Sequence, residues 1–146
     1  MASAFRSLPR DPAALTAGGK ESLPGYMGIE ILEYTPGTVK GRLPLRRELM
    51  APNGYLHAGT LVTLADTLCG YGCILGLPEA AENFTTIELK VNFLSTLREG
   101  ALLGTARLVH GGRTTQLWDA EIADEATGKV LAHFRCTQLI IYPAAR

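Results

Sequence analysis

Between Glu48 and Glu79 the chain carries a single carboxylate, Asp66. It lies in the most apolar stretch, Leu61 to Leu77. An unpaired buried carboxylate is expensive, so its presence needs a reason. Two readings stand. Asp66 is a satisfied buried acid or one exposed at a subunit seam. Otherwise it is a general base or nucleophile whose pKa desolvation raises. Nine residues earlier stands His57, followed by Ala58 and Gly59. The first N–H groups of a helix lack carbonyl partners and point along its positive end, so they can hold a carbonyl oxygen or a developing oxyanion. Small residues such as Ala58 and Gly59 let a substrate reach that backbone. His57 also fits as a plain polar residue near the helix start. Asn53, next to Gly54, offers a side-chain amide to the same region, or is only a turn residue. Cys69 and Cys73 are four apart, a helix-face spacing, but no further ligand lies near them, so they read as apolar filler and no metal site is expected.

These residues need a helix beneath them. His57 to about Leu75 is the one long helix candidate, and apolar residues occur around nearly its whole circumference. Such a helix is buried on all sides. It is too short, and Asp66 too central, for a comfortable membrane span. Before it, a short helix is expected within Asp11 to Ala17, then strands Met27 to Tyr34 and Thr38 to Leu45 around the Pro36-Gly37 turn. After it come strands only. Thr86 to Asn92 alternates, with Ile87, Leu89, Val91 and Phe93 on one face and Thr86, Glu88, Lys90 and Asn92 on the other. Ala101 to His110, Thr114 to Ala123 and Lys129 to Ile141 follow, separated by turns. This is an α+β plan: an antiparallel sheet of five to six strands around one buried helix. Residues 1–25 form a loose N-terminal arm and residues 26–146 a single domain. The sheet covers only part of so apolar a helix, so at least a homodimer is expected.

Composition narrows the partners. There are 14 Lys plus Arg against 14 Asp plus Glu, 47% apolar residues and 19% charged ones. Zero net charge argues against a nucleic-acid partner or a polybasic membrane contact. Three cysteines and no signal-peptide pattern in Met1 to Arg10 point to a cytoplasmic protein.

The run Asn53-Gly54-Tyr55-Leu56-His57-Ala58-Gly59, followed by Leu64-Ala65-Asp66, resembles the signature of the hotdog-fold acyl-CoA thioesterases, in particular the phenylacetate-degradation (PaaI-type) group related to the 4-hydroxybenzoyl-CoA thioesterases. That pattern has Gly-x-x-His-Gly-Gly and a carboxylate nine residues after the His. Gly54, His57, Gly59 and Asp66 match it, as do Glu88, Val91-Asn92-Phe93-Leu94 and Gly112-Arg113 further on. The likeness covers roughly residues 26–141. Two departures stand out. The first Gly after the His is Ala58 here, which keeps its N–H. The amide often found six residues before the His is replaced by Ala51, with Asn53 the nearest amide.

The resemblance implies a hotdog fold and hydrolysis of an aryl-acetyl or medium-chain acyl-CoA. Ala58 and Gly59 would polarise the thioester carbonyl. Asp66, from the partner subunit, would activate water or attack directly. Thr86 aligns with a hydroxyl residue that holds the water or the carboxylate, and His57 orients the site. Arg113, Arg98 and Arg135 are candidates for the coenzyme A phosphates. Coenzyme A enters as part of the substrate, and no separate cofactor is implied. Leu68, Tyr71 and Phe84 are candidates for the acyl pocket, and a homotetramer is the expected assembly. Two other readings remain: a hotdog acyl-thioester dehydratase or hydratase, and a non-catalytic acyl-CoA-binding module.

Overall fold

A computed structural model describes residues 7–144. Helix α1, Pro12–Gly18, starts where the Asp11 side chain accepts from the Ala14 N–H at 3.0 Å, with proline in the first turn. Helix α2, Leu23–Met27, ends on Gly28 at φ 87°, a left-handed stop that suits glycine. Then follow β1 (Glu30–Thr35), β2 (Thr38–Pro44), a 3₁₀ turn at Arg47–Leu49 and the long helix α3 (Ala58–Leu75). The strands β3 (Asn83–Phe93), β4 (Ala101–Gly111), β5 (Thr115–Asp124) and β6 (Val130–Ile141) complete the chain. All six strands form one antiparallel sheet in the order β1-β2-β4-β5-β6-β3.

The sheet wraps α3 because small residues admit the helix. Leu68 is wedged between Gly41 on β2 and Gly104 on β4; a Cβ at either glycine would lie 2.5 Å from a Leu68 methyl carbon. The outer edge atoms of the Trp118 ring on β5 lie against Gly72 in the same way. Leu61, Leu64, Ala65, Leu68, Cys69 and Cys73 face the sheet and are buried. Each fully buried leucine contributes about 1.5–3 kcal/mol. The other flank, with Val62, Asp66, Thr67, Gly70 and Tyr71, is only half covered. One chain thus leaves part of this apolar helix open, as the count of strands led us to expect. By length and hydropathy alone α3 could span a bilayer; here it forms the core of the sheet.

Four expectations need correction. Only one short helix is expected before the first strand, yet Leu23–Met27 is helical too, because proline fits a first turn and Gly28 supplies the stop. The strand expected from Met27 therefore begins at Glu30. The segment before it is not loose where it is described. Leu15 is buried, the Thr16 hydroxyl accepts from the Ile31 N–H at 2.8 Å, and Arg10 donates to the Leu75 carbonyl at 3.1 Å. Residues 1–6 of the expected arm lie outside the described residues. Finally, the even alternation expected over Thr86 to Asn92 is interrupted. The β3–β6 register shifts between Thr86 and Glu88, so Ile87 has no opposite partner. This bulge puts Thr86 on the same inward face as Leu89, Val91 and Phe93.

All three cysteines are free and buried. Burial pushes the Cys73 thiol up to about 12. It pushes Cys69 upward too, and Cys69 also hydrogen-bonds Cys136.

Candidate active site

The first end of the site is the start of α3. His57 is the N-cap, and its Nδ1 accepts from the Gly59 N–H at 2.8 Å. An accepting Nδ1 places the ring proton on Nε2. The ring folds so close over the chain that a Cβ at residue 59 would lie 2.9 Å from Nδ1, which is why glycine stands there. Two bonds to the Leu49 carbonyl pin this helix start, from the His57 N–H at 3.2 Å and the Thr60 hydroxyl at 2.8 Å. Of the two expected oxyanion donors, Gly59 thus already serves His57. The Ala58 N–H, as the first of the helix, has no carbonyl within it to bond. Asn53 is exposed, and its Oδ1 accepts from the Tyr55 N–H at 3.2 Å. That is an Asx turn, the plainer of its two readings, shaped further by Gly54 at φ 83°.

The second end is Asp66, two helical turns further on. Its Oδ1 lies 3.1 Å from the Thr86 hydroxyl, which in turn lies 2.8 Å from Oε1 of Gln138. The bulge in β3 is what aims Thr86 at the helix. Burial raises the Asp66 pKa, and the Thr86 hydrogen bond offsets part of the rise. A carboxylate whose charged form is disfavoured by burial is a stronger base and suited to take a proton. Sequence reasoning missed Gln138, which is 0% exposed. A signal was available: β6 alternates Phe134, Cys136, Gln138 and Ile140 inward, so Gln138 is a polar residue on an apolar face, as Asp66 is on α3.

From Thr67 onward a cavity of about 230 Å³ opens along α3, lined by Thr67, Gly70, Tyr71, Ile74, Phe84 and the arm residue Leu8, among others. Of the three residues named as candidates for the acyl pocket, Tyr71 and Phe84 line this cavity. Leu68 does not; it is fully buried beneath the sheet. The arginines separate. Arg98 stacks over the Tyr55 ring at 4.9 Å, beside the helix start. Arg113 lies at the Gly111-Gly112 turn, 5.8 Å from the Tyr142 ring and near the far end of α3. Arg135 is on the outer face of the sheet in a two-pronged pair with Asp119, turned away from Asp66. Among the described residues no group of three or more His, Cys, Asp or Glu could hold a metal ion.

Residues 53–131 match the model of the thioesterase superfamily. The chain belongs to the thioesterase superfamily. The match spans the helix start, Asp66, Thr86 and strands β3 to β5. The thioesterase is 34% identical over 111 residues to the 1,4-dihydroxy-2-naphthoyl-CoA hydrolase of Listeria monocytogenes, covering 76% of this chain and 89% of that one. It is 29% identical over 131 residues to the Escherichia coli protein of the same name, covering 88% and 93%. The crystal structure of a mutant thioesterase from Pseudomonas aeruginosa superposes with a TM-score of 0.85 at 29% identity, covering 95% of this chain and 99% of that one. The hotdog fold and the thioester hydrolase activity expected from the sequence both stand.

Proposed function

We propose that this thioesterase hydrolyses acyl-CoA esters with an apolar acyl group, in a site that two copies of the chain build together. The observation that carries the reading is Asp66, half-buried and with its pKa raised, on the helix one residue before Thr67, which lines an apolar cavity. The cavity suits a phenyl ring or a medium-length chain, which favours aryl-acetyl or medium-chain substrates. Asp66 takes a proton from water as that water attacks the thioester carbonyl. The Ala58 N–H receives the oxyanion, and collapse of the tetrahedral intermediate expels the coenzyme A thiolate, which regains the proton. Hydration of an enoyl thioester would need a histidine base, and His57 Nδ1 is already committed to Gly59.

One copy cannot do this alone. His57 and Asp66 are nine residues apart on one helix, about 13 Å along its axis at ~1.5 Å per residue. A carbonyl within reach of both needs the helix start of one chain and Asp66 of another. Strand β3 ends the sheet with one edge unpaired, and Ile87, Leu89, Phe93 and Leu94 are exposed on or beside it. An edge of this kind favours a second copy over solvent. Leu139 and Ile141, exposed on β6, support further pairing of dimers into a tetramer. Arg98 and Arg113 are the stronger candidates for the coenzyme A phosphates, since Arg135 already has a carboxylate partner. Coenzyme A is substrate here, with no separate cofactor. Three free thiols favour the cytoplasm.

The test is a panel of acyl-CoA esters scored by thiol release. Asp66→Asn should lower kcat by about 10²–10⁴-fold. Undiminished turnover by Asp66→Asn would sink the proposal.

A further inference from the structure

Thr86 has one hydroxyl proton but two oxygen neighbours, Asp66 Oδ1 at 3.1 Å and Gln138 Oε1 at 2.8 Å. It cannot donate to both. Each way of resolving the conflict fits one protonation state of Asp66. If Asp66 is neutral, its O–H donates to Thr86, Thr86 donates to Gln138 Oε1, and Gln138 Nε2 faces the Cys136 sulfur at 3.4 Å. If Asp66 is ionised, Thr86 must donate to it. The Thr86 oxygen then needs a donor, which Gln138 supplies once its amide is turned by 180°. In that orientation the Cys136 S–H donates to Oε1, and Cys69 donates to the Cys136 sulfur. In both arrangements the Thr86 oxygen has one donor and the Thr86 proton one acceptor. The amide's oxygen and nitrogen occupy nearly the same shape, so the turn needs no repacking.

We propose that Gln138 is a positioning residue for Asp66: acting through the single Thr86 hydroxyl, its side-chain amide reverses as Asp66 gains or loses a proton, so both states of the base are held in one place. This rests on Asp66 being the proton acceptor of the hydrolysis. The setting supports it. Gln138 is wholly buried, so its amide is held by protein groups and not by bulk water. The titratable groups on this inner side are Cys69, Tyr71 and Cys73 on α3 and Cys136 on β6. Glu88 and Lys90 of β3, Arg135 of β6 and Asp119 and Glu121 of β5 lie in register on the opposite face of the sheet. The reversal is therefore driven by Asp66 and not by a neighbouring ion.

The chain contains only two glutamines, Gln116 and Gln138, which makes the test direct. In the labelled full-length protein, the Gln138 side-chain amide resonances should shift with the midpoint at which the Asp66 carboxyl carbon titrates. Gln116, bonded to the Gly76 carbonyl and Trp118, serves as the unmoving reference. In Thr86→Val the Asp66 carbon still titrates but the Gln138 amide should not follow. A Gln138 amide that stays flat while Asp66 titrates overturns the proposal, and so does coupling that survives in Thr86→Val. Kinetically, Gln138→Glu should move the acidic limb of kcat/KM up by about one pH unit or more, because an ionised Glu takes the Thr86 proton and repels Asp66. An unmoved limb in a folded Gln138→Glu protein also overturns it. The resonance measurement needs no turnover. Absence of acyl-CoA hydrolysis therefore counts against the proposed function, whereas a flat amide counts against Gln138.

Discussion

Gly72→Ala sets two effects against each other on the helix that carries Asp66. Replacing a helical glycine by alanine gains about 1 kcal/mol in intrinsic propensity. Position 72, however, faces the Trp118 ring. A Cβ there would lie 2.6 Å from Cζ3 and 2.9 Å from Cζ2, where carbon contacts normally settle near ~3.5–4.0 Å. The ring must therefore move by about 1 Å, and with 1% exposure it has no free space to enter. Overpacking of this kind costs about 1–3 kcal/mol. Moving the ring also strains its Nε1–H bond to Gln116 at 2.8 Å, and through it the Gln116 bond that closes the helix at Gly76. Leaving that buried donor unpaired costs a further ~1–3 kcal/mol. The net expectation is a loss of about 1–5 kcal/mol, or roughly 2–20 °C in Tm for a chain of this size. Urea unfolding at fixed protein concentration measures it, with Gly70→Ala as the control. A Cβ at residue 70 would meet only Phe84 Cζ at 3.2 Å, beside the open cavity, so that variant should stay within about 1 kcal/mol of the parent. A Gly72→Ala protein as stable as the parent would refute the packing argument.

Burial raises the Asp66 pKa, so folding loses stability as pH climbs from the ordinary carboxylate range through the raised value. Asp66→Asn should therefore melt higher than the parent at pH 7, and the gap should close near pH 3–4 as both proteins become uncharged there. Gly70→Leu fills the cavity beside Phe84; kcat/KM should fall about tenfold or more for medium-chain esters and little for acetyl-CoA, as read from a chain-length series. Leu89→Lys places a charge on the open β3 edge. Light scattering should show smaller particles, and specific activity should fall on dilution.

The sequence was informative wherever a residue contradicted its surroundings. Asp66 stood out as a charge in an apolar run, and the structure places it beside Thr86 as the family resemblance implied. Five of the strand spans were legible because alternation and turn residues agree there. The β3 bulge was not, since inserting one residue into a strand leaves the local alternation looking regular on both sides. Helix α2 was hidden because Pro24 and Gly25 mark turns in most settings, and only the tertiary position of Gly28 makes them a helix. Gln138 was passed over because an amide on a strand looks unremarkable until its face is known to be the buried one. The occupation of the Gly59 N–H by His57 depends on a side-chain torsion that no spacing rule encodes.

The three buried cysteines have a practical consequence. A thiol-reactive dye added to count released coenzyme A meets no exposed thiol on the native protein. Its steady rate reports product alone. Under mild denaturant with no substrate, the same dye becomes a clock for opening of the core. Cys69 and Cys73 report separation of the helix from the sheet, and Cys136 reports exposure of the strand that carries Gln138. Turnover and breathing can thus be followed in one cuvette, without any label.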